Sequence, residues 1–277
     1  MEVTTRSILG AHLQSCMLLQ QPLTLVEHST LNEKFGVAQD ELPTDSEYPA
    51  LNVAVIGNGG HTLAVTSKGI YYPKAQVHRP DDFALFSHIP FVCREINNDL
   101  STAERLKYRL RVIDYIDNKP YVVYYGKVID LANATPTVSK VTVANGITSM
   151  IPFTGTKANL SPVPVDLSST TVNTTTGDYL ASNSIAVLDL DSSAITEIIN
   201  ACDIMFGDKH TAVISEIGLC TSLTKQVYGD FNGNQQKYTE ATCCQLYSSS
   251  ACFHDLLSTG AKLGININVG AAEPLVQ

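Results

Sequence analysis

Val53-Ala-Val-Ile-Gly-Asn-Gly-Gly60, followed by Thr62-Leu-Ala-Val-Thr-Ser-Lys-Gly69, is the stretch on which the fold class turns. An apolar strand running into a glycine turn resembles the opening of a dinucleotide-binding fold. That chemistry needs a helix next, so that its N-terminus meets the pyrophosphate. Here the next segment is rich in β-branched and apolar residues, and the third glycine is missing. The pattern predicts a hairpin, with Asn52 to Ile56 and Thr62 to Thr66 as its arms. The doubly wound α/β class is thereby set aside.

Working outward, strand signals dominate. Leu106, Tyr108, Leu110 and Val112 alternate with Lys107, Arg109 and Arg111, the period of a half-buried strand with a basic wet face. Asp117-Asn118-Lys119-Pro120 turns the chain into a second strand, Tyr121 to Val128. Val138 to Val143 and Ile147 to Phe153 form another pair around Asn145-Gly146. Ser184 to Leu190 and Thr211 to Leu219 read as strands, Val227 to Ala241 as a hairpin around Asn232-Gly233, and Leu263 to Val269 as a closing strand. Helices are few. Residues 5–20 carry a helical period and stop at Pro22. Ser193 caps a second helix running to Phe206 and ended by Gly207. Residues 250–259 read as a short third. Ser101-Thr-Ala-Glu104 is a capping box for a single turn. The expected class is α+β, strand-dominated. The expected domains are 1–153, a helix plus a β-rich body; 154–184, an arm or linker; and 185–277, a small α+β domain. In 154–184, 15 of 31 positions are Ser, Thr or Asn, which makes the segment too polar for a core of its own.

Composition narrows the function. Asp, Glu, Lys and Arg make up 16% of the 277 residues, against about 25% in an average soluble domain. Neutral polar side chains take their place, a surface suited to being covered, because interface cores are depleted in charge. The net charge of −9 argues against nucleic acid as a partner. No run of apolar residues is long enough for a membrane helix. The seven cysteines follow no regular spacing, and without an export signal they are expected to be reduced.

Motifs with chemistry in them are weak. Asp230-Phe-Asn-Gly-Asn234 imitates a calcium loop but lacks its glycine and its bidentate glutamate. Leu188-Asp-Leu-Asp191 pairs two carboxylates on one strand face. Cys243, Cys244, Cys252 and His254 lack the Cys-x-x-Cys spacing of a zinc site. A thiol nucleophile would need His210 or His254 brought to a cysteine in space. No catalytic residue, cofactor or metal is expected.

Ala212-Val-Ile-Ser-Glu-Ile-Gly-Leu219 resembles a strand met in attachment domains of tailed-bacteriophage fibre and baseplate subunits. The resemblance covers eight residues and carries no catalytic residue with it. It implies a structural virion protein, of tail or baseplate type rather than neck or capsid, made in the host cytoplasm and partnered by copies of itself and by other virion proteins. Candidate assembly contacts are Ile8, Leu13 and Met17 on the first helix, Val163, Val165 and Leu167 in the polar segment, and Ile214 and Ile217 in the motif. The alternatives are a cytosolic hydrolase-like enzyme with a Cys or Asp site, a carbohydrate- or protein-binding module, and a neck or capsid protein of the virion.

Overall fold

The structure, a computed structural model, describes residues 3–132, 134–144, 147–164, 178–231, 233–259 and 262–275. In chain order the elements are β1 (Val3–Arg6), α1 (Ile8–Leu19), α2 (Leu31–Phe35), β2 (Ala50–Gly57), β3 (His61–Val65), β4 (Tyr71–Ala75), β5 (His88–Ile89), β6 (Val92–Glu95), α3 (Thr102–Arg105), β7 (Tyr108–Ile116), β8 (Lys119–Val128), β9 (Thr137–Ala144), β10 (Ile147–Pro152), β11 (Asp178–Asp191), α4 (Ser192–Phe206), β12 (Val213–Phe231), β13 (Asn234–Asp255), α5 (Leu256–Thr259) and β14 (Lys262–Pro274). The chain is strand-dominated with a few short helices, as expected.

Two compact units form, and neither follows the expected boundaries. The larger takes residues 1–129 and 189–264; the smaller takes 130–188 and 265–277. The C-terminal third is not a domain of its own, because β12 pairs with β2 and β13 with β1, which ties it into the same sheet as the N-terminal third.

That sheet has eight strands, ordered β1-β13-β12-β2-β8-β6, with β5 on β2 and β7 on β8. Its spine is the β12–β13 hairpin, far longer than the sequence suggested, closing at Phe231↔Asn234. The β7–β8 hairpin turns at Asp117 and Asn118, both in the left-handed region, which suits the twist of a tight two-residue turn. One packed cluster gathers Leu31, Val53, Val55, Leu110, Cys244 and Leu246. Helix α1 lies so close to β13 that a Cβ on Gly10 would sit 2.5 Å from the Tyr247 ring. Helix α4 covers β6, with Cys93, Val123 and Ala201 buried between them. It is capped by Asp191, whose Oδ1 accepts from the Ala194 amide, and not by Ser193.

The expected β2–β3 hairpin is wrong. Strand β2 is taken by β12 on one side and β8 on the other, which releases β3 to pair with β4 as a separate two-stranded sheet. The basic wet face of β7 is also wrong. Arg109 and Arg111 are buried. Arg111 donates to Asp99 at 3.1 Å and its guanidinium lies 4.0 Å from the Phe231 ring centroid, so its charge is used internally. The third expected helix shrinks to α5, since residues 250–255 continue β13.

In the smaller unit a four-stranded sheet runs β10-β9-β11-β14. The β9–β10 hairpin forms as expected, although its Asn145-Gly146 turn lies outside the described residues. Val141 and Ala181 are buried on one face of this sheet.

Candidate functional site

Glu216, at the centre of the Ala212–Leu219 segment, accepts four hydrogen bonds. Strand β12 places it inside, fully buried. A carboxylate there costs a great deal unless its lone pairs are filled. They are filled by chain turned back on itself. Gly59 N and Ser87 N donate to Oε1 at 3.1 and 2.9 Å; Phe86 N and His78 Nε2 meet Oε2 at 3.1 and 2.8 Å. The other nitrogen of His78 lies 3.3 Å from Asp82, and the Phe86 ring stacks on the imidazole at 3.8 Å. The neighbouring Ser215 hydroxyl accepts from Gly60 N at 2.8 Å. The glycines that suggested a phosphate-binding turn therefore spend their amides on Ser215 and Glu216. Gly60 has to be glycine, because a Cβ there would lie 2.0 Å from the Ser215 carbonyl oxygen.

These bonds fix both ends of the β3–β4 hairpin. Gly59 and Gly60 lead into it. Gln76 leaves it and returns to the glycines, its backbone N donating to Gly60 O at 2.8 Å and its side chain to Gly59 O at 2.9 Å. Two residues later His78 meets Glu216. Between the clamped ends the hairpin is exposed and apolar. Leu63 opposite Pro73 and Val65 opposite Tyr71 share one face, with Leu63 73% and Tyr71 66% exposed. A two-stranded sheet is marginal in water on its own. Here the buried hub holds it as an arm.

A cleft of about 500 Å³ is lined by Cys93, Tyr121, Glu197, Asn200 and Asp203 beside α4. Its wall is a bidentate ion pair, Arg94 to Glu197 at 2.6 and 3.2 Å. Behind the wall a smaller space of about 90 Å³ holds Lys107, Lys127, Glu104 and Asp191. Burial lowers the Lys127 ammonium below its ordinary value. Cationic and acidic side chains are balanced in this space, and the cysteine in the larger cleft is a poor nucleophile, since burial pushes the Cys93 thiol up to about 12.

Three further thiols are also raised. Cys202 is pushed up to about 11 by burial, Cys243 is raised by burial, and Cys244 is raised first by its contact with the Cys220 thiol. Cys16 lies 3.7 Å from His12, but the same His12 nitrogen is 3.2 Å from the Thr24 carbonyl. A nitrogen that donates to a carbonyl cannot take a thiol proton. His210 is tied to Asp208. Asp189 and Asp191 diverge in role: the first pairs with Lys262, the second caps α4. The Asp230 loop is a hairpin turn, with Gly233 N donating to Asp230 at 2.7 Å. Among the described residues no three His, Cys, Asp or Glu side chains converge as metal ligands.

The expected assembly residues scatter. Ile214 and Ile217 are buried in the chain's own core and cannot face a neighbour. Leu13 is 5% exposed and packs with Cys16 and Leu23, because the apolar stripe of α1 is used against its own unit. Ile8 and Met17 remain half exposed on the outer side. Val163 is exposed, and Val165 and Leu167 lie outside the described residues. The arm at 61–75 was missed as a surface. Its signal was present in Leu63, Val65, Ile70, Tyr71 and Tyr72, apolar residues without the glycine-to-helix sequel that would bury them.

No helix among the described residues is long and apolar enough to cross a membrane. No curated protein and no solved structure matches the chain. One family does match, over residues 1–277, and by that full-length match the chain belongs to the family of unknown function DUF7208.

Proposed function

We propose that the chain is a structural subunit of a phage virion, of tail or baseplate type, which acts by self-association and by docking neighbouring virion proteins. The observation that carries this is the β3–β4 arm. A hairpin that exposes Leu63, Val65, Ile70 and Tyr71 has no intramolecular reason to be apolar. Its ends are nevertheless held by a buried carboxylate, which fixes its direction. Rigid support under an apolar protrusion lowers the ordering cost of binding. The low charge of the chain and the phage-like Ala212–Leu219 segment support the same role. An enzymatic role would need an activated group, and the Cys93, Cys202 and Cys243 thiols are raised by burial.

Leu63→Asp combined with Tyr71→Asp tests this. Both side chains are exposed, so the fold should survive, as circular dichroism and thermal melting would verify. Association measured by sedimentation, and incorporation into particles, should be lost. Normal assembly of the folded double variant would overturn the role given to the arm.

A further inference from the structure

Resting on the self-association proposed above, we infer that β10 is the edge by which the smaller units of two copies join, pairing antiparallel with the same strand of the partner about a twofold axis. Among the described residues, β10 ends the four-stranded sheet and pairs on one side only, with β9. All six residues, Ile147–Pro152, are exposed. A free edge of this kind is normally blunted with charge, and this one carries none.

Backbone direction sets what the edge offers. Phe153 N donates to Val138 O at 2.9 Å, toward β9. Successive N–H groups alternate sides, so the odd-numbered residues of β10 point inward and Thr148, Met150 and Pro152 point out. Proline stands where its missing N–H is harmless to the chain's own ladder. The outward groups are then the N–H and C=O of Thr148 and Met150 and the C=O of Pro152.

One register fits a second copy best. With Ser149 on the axis, Thr148 of each strand lies opposite Met150 of the other, and the two pairs exchange four hydrogen bonds. Ile147 then lies opposite Ile151 of the partner subunit on a shared face, both largely exposed in the single chain at 72% and 63%. Moving the axis to Met150 sets Thr148 against Pro152 and leaves a Thr148 carbonyl without a donor. Charge also favours a copy over another partner. Among the described residues, an ion pair of Lys140 with Asp178 stands beside this edge, at 2.9 Å. One cation and one anion make the surface neutral, so two copies approach without like-charge repulsion despite the net −9 of each chain.

Cross-linking reads the register directly. Paired residues on the axis, in a non-hydrogen-bonded position, have Cα atoms about 4.5 Å apart, within disulfide range. Ser149→Cys in the full chain should therefore give a covalent dimer under mild oxidation. Ile147→Cys should not, since its own copy lies four residues along the strand. Met150→Pro removes an outward donor without touching the β9 ladder, and should weaken dimerisation by at least about tenfold in sedimentation equilibrium. Ile151→Lys should do the same by placing like charges beside the seam. The inference falls if Ser149→Cys fails to cross-link more than Ile147→Cys, or if folded Met150→Pro associates like the wild type. In that event, loss of assembly in the Leu63→Asp, Tyr71→Asp variant would still uphold the structural role. If that variant also assembles normally, the role itself fails.

Discussion

Glu216→Gln removes one oxygen's worth of acceptor from the buried hub while keeping its shape. The carboxylate takes two contacts on each oxygen: Gly59 N and Ser87 N on one, Phe86 N and His78 Nε2 on the other. An amide serves one set and turns its NH₂ toward the other, donor against donor. The better orientation for Gln keeps Gly59 and Ser87 and loses Phe86 and His78. Hydrogen bonds to a charged acceptor contribute about 1.5–3 kcal/mol each, so the loss of two costs about 3–6 kcal/mol. In a unit of this size each kcal/mol lowers the midpoint by about 2–4 °C, so a drop near 10 °C is expected. The assay is urea and thermal unfolding of both proteins, with amide hydrogen exchange to locate the damage. Faster exchange is expected at Phe86 and along the arm, while the Leu219 region of β12 keeps its protection. Glu104→Gln, at the exposed capping box of α3, is the control and should leave the unfolding midpoint close to that of the wild type. If Glu216→Gln lies within about 1 kcal/mol of the wild type, or if its exchange loosens everywhere equally, the hub does not hold the arm.

The remaining expectations concern pH, packing and thiols. Burial lowers the His88 imidazole to about 3, so it takes up a proton on unfolding. Stability present above pH 6.5 should fall by about 2 kcal/mol at pH 5, and His88→Gln, which still offers an acceptor to Leu85 N, should abolish that increment. An unchanged pH dependence in the variant would count against the buried neutral ring. Leu13→Asp should unfold the larger unit or cost more than about 3 kcal/mol, whereas Met17→Asp, on the exposed side of the same helix, should stay within about 0.5 kcal/mol; equal effects in denaturant titrations would contradict the burial of the α1 stripe. Native alkylation followed by mass spectrometry should leave Cys93, Cys202 and Cys244 unmodified until denaturant is added, and rapid native labelling of any of them would refute their burial.

What the sequence determined by itself was local. Asn232-Gly233, Asp117-Asn118 and Asn145-Gly146 marked hairpins because a turn's backbone needs are met by the turn residues alone. Gly207 stopped α4 because the left-handed conformation, φ 71°, is a property of that one position. The Ser101–Glu104 box capped a single turn for the same reason. Tertiary structure decided everything that depends on a partner far along the chain. Whether Gly57–Gly60 led into a hairpin, a cofactor loop or an arm turned on whether β2 found β3 or β12, more than 150 residues away. Arg109 and Arg111 alternate like a wet face, but Arg111 is buried against Asp99 and Phe231, which arrive from elsewhere, and Arg109 donates to the Leu106 and Tyr108 carbonyls. Asn32 sits on the short helix α2. It is buried because its amide fits three backbone groups of its own loop and of β13 at once, a match no spacing records. Glu216 could be read as part of a motif, but its role as the acceptor under the arm could not. A carboxylate is tolerable in a core only where folded backbone brings enough N–H groups to it, and that convergence exists only in three dimensions.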